Sequence, residues 1–262
     1  METISNLLRE CLNLPRYSKP YLKQALARVD FIAPIHELRN SLPNELNRDF
    51  IEKFPIPDHK EIRESEVIIT SDSSGDTAQT REDRSMNWCF RKKDRSHNLN
   101  VNMKFLYIEC LKYHSFEALS DELFLVIDKL VGSFPDLQFG RLGLRYINSI
   151  EIDDEPNPTE WSAYIKNSLL TKIDIVTPDQ ITRIFNIFEF MYDDMNLRFQ
   201  YGMHNPDFPA AILKKVFILD YDAYSKGVFT YADVKTKLKL FHEKISELFE
   251  FSIEDALRDR MR

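Results

Sequence analysis

The sequence predicts an α+β fold: two halves, each a mainly antiparallel sheet packed against amphipathic helices. Three patterns predict it. Arg141 to Ile150 alternates with the two-residue period of a strand, Leu142, Leu144, Tyr146, Asn148 and Ile150 on one face and Arg141, Gly143, Arg145 and Ile147 on the other. Phe116, Leu119, Leu123, Val126, Ile127, Leu130 and Phe134 recur at three and four residues, which is one helical stripe. The same succession, strands followed by an amphipathic helix, returns between Arg183 and Phe249.

The 262-residue chain is 43% apolar and carries 19 Phe and 11 Tyr, enough for a substantial core. It has 6 glycines and neither GxGxxG nor GxxxxGKS/T, so the phosphate-cradling loops built on those motifs are not expected. A net charge of -7 disfavours general attraction to nucleic acid or anionic lipid. Cys11, Cys89 and Cys110 are widely spaced and form no CxxC. They are therefore expected as reduced thiols, with no disulfide framework, no metal centre and no cofactor. No run approaches the roughly 20 apolar residues of a membrane span. Met1 to Leu14 lacks the apolar core of a signal peptide, so the expectation is a soluble, cytoplasmic protein.

In chain order, Ile4, Leu7, Leu8, Cys11 and Leu12 stand at helical spacing before Pro15, an N-terminal helical extension within residues 1–20. Tyr21 to Phe31 reads as extended. Pro43-Asn44 opens a helix carrying Leu46, Phe50, Ile51 and Phe54, which Pro55 and Pro57 stop. Val67 to Thr70 reads as a short strand. Ser71 to Arg84, nearly devoid of apolar side chains, reads as a solvated mobile loop. Trp88 and Phe90 on the way out, with Leu99, Val101 and Met103 on the return, predict a hairpin over 87–103. Phe105 to Leu111 is a further strand. Ser115 caps a helix over 115–134, and the strand at 141–150 closes a first half spanning 21–152.

Asp153 to Pro158 is acidic and twice interrupted by proline, which marks a boundary to a second half over 153–262. Thr159 is expected to cap a helix carrying Trp161, Tyr164, Ile165, Ser168 and Leu169. A hairpin over 183–203 turns at Asp193 to Asn196, and Ile212 to Tyr221 is a third strand. Thr230 with Asp233 opens a long helix over 231–251, striped by Val234, Leu238, Phe241, Ile245, Leu248 and Phe249. Ser252 with Asp255 signals a cap for a short C-terminal helix.

Few residues are candidates for chemistry. Arg141 and Arg145 share a strand face roughly 13 Å apart, with Asn148 on the opposite face. The three are candidate ligand-binding residues, the arginines able to clamp a phosphate or carboxylate or to pair with acids such as Glu109. Arg91, Lys92, Lys93 and Arg95 form the densest basic cluster, either a nucleic-acid contact or a solvated hairpin tip. Asp220 and Asp222 fall on one strand face, where Mg²⁺ binding needs further oxygen ligands. The six histidines show no metal-pair spacing, and neither GxSxG nor HExxH occurs, so no catalytic residue is assigned.

Several phrases taken in order resemble a sporadically distributed prokaryotic family of about this length with no established function. They are Phe31 with Pro34-Ile35, Phe54-Pro55, Asn87 to Asp94, Val101 to Leu106, Arg141 to Asn148, and Phe217 to Asp222. His242, Leu248-Phe249, Ser252 to Asp255 and Leu257-Arg258 resemble the family's close. This chain has Ile253-Glu254-Asp255 where the family tends to have Ile-Thr-Asp. The resemblance implies one continuous architecture over 21–262 and carries no catalytic assignment.

The functional expectation is a non-catalytic binding or protein-interaction module, whose partner is another protein or a second copy in a homodimer. One alternative is a nucleic-acid-binding accessory protein using the 91–95 tip. Another is a metal- or phosphate-dependent enzyme using Asp220 and Asp222 or the arginine pair.

Overall fold

A computed structural model describes residues 17–72, 75–170, 177 and 180–262. The expected helix at 4–12, and Cys11 with it, lies outside the described residues. The fold is mixed α+β, with extensive antiparallel sheet and four α-helices among the described residues. The strands are β1 (Leu22–Phe31), β2 (Ile56–Pro57), β3 (Lys60–Asp72), β4 (Gly75–Arg91), β5 (His97–Val101), β6 (Phe105–Cys110), β7 (Phe139–Glu151), β8 (Asn186–Tyr192), β9 (Met195–Met203) and β10 (Val216–Phe229). The helices are α1 (Asn44–Lys53), α2 (Phe116–Ser133), α3 (Tyr231–Ser252) and α4 (Asp255–Met261). None of them is long and apolar enough to cross a membrane.

The described residues form two compact units, one within 27–141 with 227–231 and the other within 17–26, 142–226 and 232–262. They divide within β1, β7 and β10 rather than at residue 152, and each is built from separated stretches of chain.

In the unit centred on Ala27–Arg141 the strands follow the order β2-β4-β5-β6-β1, with β3 paired to β4. Ser115 caps α2 as expected, its Oγ accepting from Ala118 N at 3.1 Å. Leu119, Leu123, Val126 and Leu130 are buried, and α2 packs on β6 and on α1. Phe50 of α1 meets Phe90 of β4 edge to face at 5.6 Å. One expectation is overturned here. The described residues between Ser71 and Arg84 are strand and not loop: β3 and β4 pair antiparallel from Lys60–Asn87 to Asp72–Gly75. A two-stranded ribbon pairs its facing backbone groups in the ladder, leaves the outward ones to water and needs no apolar face, so polarity was a poor guide to its conformation. Its root is held by Arg39 on Asp83 at 2.7 Å and by Lys104 on Glu64 at 2.7 Å.

In the other unit β7, β10, β9 and β8 follow one another, with β1 beside β7. Leu144, Leu219, Tyr221, Phe199, Phe241 and Leu257 are among its fully buried side chains. The acidic stretch at 153–158 lies inside this unit. Asp154 accepts two bonds from Arg260 at 2.9 and 2.8 Å, and Asn157 O accepts from the buried Lys215 Nζ at 3.0 Å.

The expected helix from Thr159 does not form. Thr159 donates its hydroxyl to Asn157 Oδ1 at 2.9 Å, so it caps nothing. The Lys215 ammonium lies over the Trp161 and Tyr164 rings at 5.3 and 5.5 Å. Tyr164 O and Lys166 N bond to Glu254 and Ser252, drawing this stretch into a bridge at Ile165–Ile253. Only a 3-10 turn at Asn167–Leu169 remains. Ser252, expected as the cap of α4, instead donates to Leu248 O at 2.6 Å and accepts from Tyr221 at 3.1 Å. Glu254 holds the N-cap position.

Candidate interaction surface

The residues singled out from sequence scatter across the fold. Arg145 is held side-on by one carboxylate: Nε donates to Asp220 Oδ1 at 2.8 Å and Nη2 to Asp220 Oδ2 at 2.6 Å. This joins two features that the sequence presented separately, the strand arginine and the Asp-x-Asp pair. The Asp220 hydrogen bonds push the guanidinium above its ordinary value against the opposing effect of burial, and Asp222 adds to that. Glu109, named from sequence as a possible partner, instead accepts from Asn98 at 2.7 Å. Asn148 is buried and donates to Leu219 O at 3.3 Å. Arg141 is half-buried, belongs to the other unit and has interactions of its own. No group of three His, Cys, Asp or Glu able to hold a metal occurs among the described residues.

The Arg145 side chain is 43% exposed and that of Asp220 10%, so solvent screens part of the pair. Asp220→Asn is expected to cost about 1–2 kcal/mol of stability. Urea unfolding of this variant should show a lower midpoint at unchanged slope.

The basic tip is partly neutralised within its own unit. Arg91 is paired with Asp58, and Lys92 with Glu122. Glu122 also faces the buried His97, with Nδ1 and Oε2 3.9 Å apart. Burial holds His97 below its ordinary pKa, with Glu122 opposing the shift. Lys93 and Arg95 remain exposed, Arg95 in the left-handed region at φ 55°. The buried Cys89 thiol donates to Asn100 Oδ1 at 2.8 Å, and burial raises its pKa. Burial pushes Cys110 up to about 11.

The most distinctive surface is β8, which sequence inspection read as half of a hairpin and not as a site. Tyr192 pairs with Met195, leaving a two-residue turn at Asp193-Asp194. Asp193 takes the left-handed conformation at φ 47°, one that aspartate tolerates. The turn is shorter than the expected Asp193 to Asn196, and Asp194 pairs with Lys237 of α3.

Register fixes which way β8 faces. Phe188 lies opposite Phe199, Phe190 opposite Leu197 and Tyr192 opposite Met195. Directly opposed residues share a face, so these three rings continue the core face of the sheet. Ring stacking runs outward along it: Tyr221 to Phe199 at 4.6 Å, Phe199 to Tyr201 at 4.7 Å, Tyr201 to Phe188 at 5.9 Å and Phe188 to Phe190 at 6.4 Å. The inner rings are buried, but Phe188 is 49% exposed and Tyr192 42%. On the reverse face Ile187 is 53% exposed and Met191 80%.

Among the described residues β8 pairs with β9 alone, and it ends the strand order. It carries no lysine and no proline, the usual blunting devices of an edge, and its one charge is Glu189. Each large apolar side chain so placed stands to contribute about 1.5–3 kcal/mol if fully removed from water. The signal available in the sequence was apolar residues on both strand faces, Ile187 and Met191 on one and Phe188, Phe190 and Tyr192 on the other.

A cavity of about 350 Å³ at the root of this hairpin is lined by Trp161, Phe217, Gly202 and Asn186, among others. Glu160 is the one ionisable side chain among its described lining residues, which does not make an acid–base pair. No family model matches this chain, and no curated protein matches it.

Proposed function

We propose that this protein is a non-catalytic protein-interaction module that takes up an extended, alternately apolar polypeptide segment along the outer edge of β8. The observation that carries the reading is an edge strand with exposed apolar side chains on both faces, continuous on one face with the buried aromatic core. An added strand would satisfy the outward N–H and C=O groups of β8 while its alternate side chains extend the aromatic layer. The nucleic-acid alternative has less to stand on, because Arg91 and Lys92 already meet Asp58 and Glu122.

The test is a titration of the chain, diluted until it sediments as a monomer, with a synthetic peptide of the β8 sequence, Asn-Ile-Phe-Glu-Phe-Met-Tyr, kept soluble by terminal lysines. Saturable binding is expected, weakened roughly 3-fold by Met191→Asp, which places a charge on an exposed edge without touching the core. Absence of binding, or binding indifferent to this substitution, removes the reading.

A further inference from the structure

We infer that the segment received by β8 is the β8 strand of a second copy of this chain, paired antiparallel about a two-fold axis at Phe190. This rests on the edge-docking reading above and adds the identity of the partner. A two-fold axis perpendicular to a sheet keeps each face on its own side, so opposed residues must share parity along the strand. Centring the pair on Glu189 sets two carboxylates directly against each other in an otherwise uncharged strip, a destabilising arrangement. Centring it on Phe190 sets Phe190 against its own mate, Phe188 against Tyr192 and Glu189 against Met191. The aromatic residues then meet aromatic residues on one face, and the single charge meets no like charge.

The charge pattern also favours a copy of this strand over a basic partner. Within its own hairpin Glu189 lies directly opposite Arg198, so a cation already stands across from the one charge of β8. What β8 leaves unanswered is apolar, and Phe-x-Phe-x-Tyr read antiparallel is its own complement.

Sedimentation equilibrium of the full chain tests the inference. The expected mass is twice the 31.0 kDa of the chain, reverting to one chain in Phe190→Lys, which sets two ammonium groups against each other at the axis. Four further variants report the register. Phe190→Cys should form a 190–190 disulfide under mild oxidation, mapped by mass spectrometry, whereas Glu189→Cys should not, because it faces Met191. Met191→Lys, opposite Glu189, should tighten the dimer and Met191→Asp should weaken it, each by roughly 3- to 10-fold.

A monomeric mass across the accessible concentration range, with no 190–190 disulfide, overturns the second-copy inference. So does a dimer that survives Phe190→Lys and forms no 190–190 disulfide, since its contact lies elsewhere. The β8 peptide titration separates the two failures. A monomer that binds the peptide keeps the edge as a docking surface for another extended polypeptide, whereas a monomer that ignores it loses both readings.

Discussion

Gly202→Ala should lower stability by at least about 3 kcal/mol, a fall in Tm of roughly 6–12 °C for a chain of this size. Gly202 sits on β9 at φ 154°, a backbone region that side chains rarely adopt. The chain leading into β8 crosses it closely. A Cβ at this position would stand 1.9 Å from Ile184 O and 2.9 Å from Phe185 Cα. Both obstacles are backbone, so no rotamer change relieves them. The segment must move, and the bond from Ile184 N to Met203 O at 3.3 Å goes with it. The consequence reaches the surface proposed for binding, because Ile184 and Phe185 deliver the chain to Asn186. Differential scanning calorimetry reads the stability. The β8 peptide titration should show weaker binding even below the transition, since the strand's lead-in has been displaced.

Phe199→Ala is the second large effect, at about 3–5 kcal/mol. Phe199 is 1% exposed and lies between Tyr221 and Tyr201, its ring parallel to that of Tyr221 within 3°. Truncation leaves a cavity walled by aromatic rings that cannot collapse without disturbing β10. It also removes the residue opposite Phe188, the inner support of the exposed shelf. Chemical unfolding should show the loss, and Phe199→Leu, which keeps more volume, should recover more than half of it. A loss below about 1 kcal/mol for the alanine variant would mean that the ring stack is not the core of this unit.

Period-2 and helical patterns carried the element types well wherever a buried face imposes them. The strand at 141–150 became β7 with Leu142, Leu144, Tyr146, Asn148 and Ile150 all buried. Most of the α2 and α3 stripes is likewise buried, whereas Phe116, Phe134, Leu248 and Phe249 at the stripe ends are half-buried. Where tertiary contacts or solvation decide, local pattern was a weaker guide. The sequence of the β3–β4 ribbon is polar over much of its length, and polarity alone looks the same in a loop. Trp161, Tyr164 and Ile165 have helical spacing, but Lys215 and the α3–α4 junction hold their backbone elsewhere.

Pairing was the least accessible layer. Strand alternation shows that Arg145 and Asp220 each need a partner, but only the strand order brings them to the same place. The same holds for the candidate surface. Ile187 to Tyr192 announces a strand apolar on both faces, which ordinarily means a strand covered on both. That β8 ends the order is a property of the sheet and not of the segment.

Amide hydrogen exchange over residues 186–192 of the chain diluted until it sediments as a monomer, with and without the β8 peptide, tests the docking reading most directly. Added peptide should slow the outward amides of β8 in step with its saturation, leave β10 unchanged, and lose the effect in Met191→Asp. Exchange in β8 that is indifferent to the peptide, or protection appearing instead at another strand, would contradict the assignment of this edge as the docking surface.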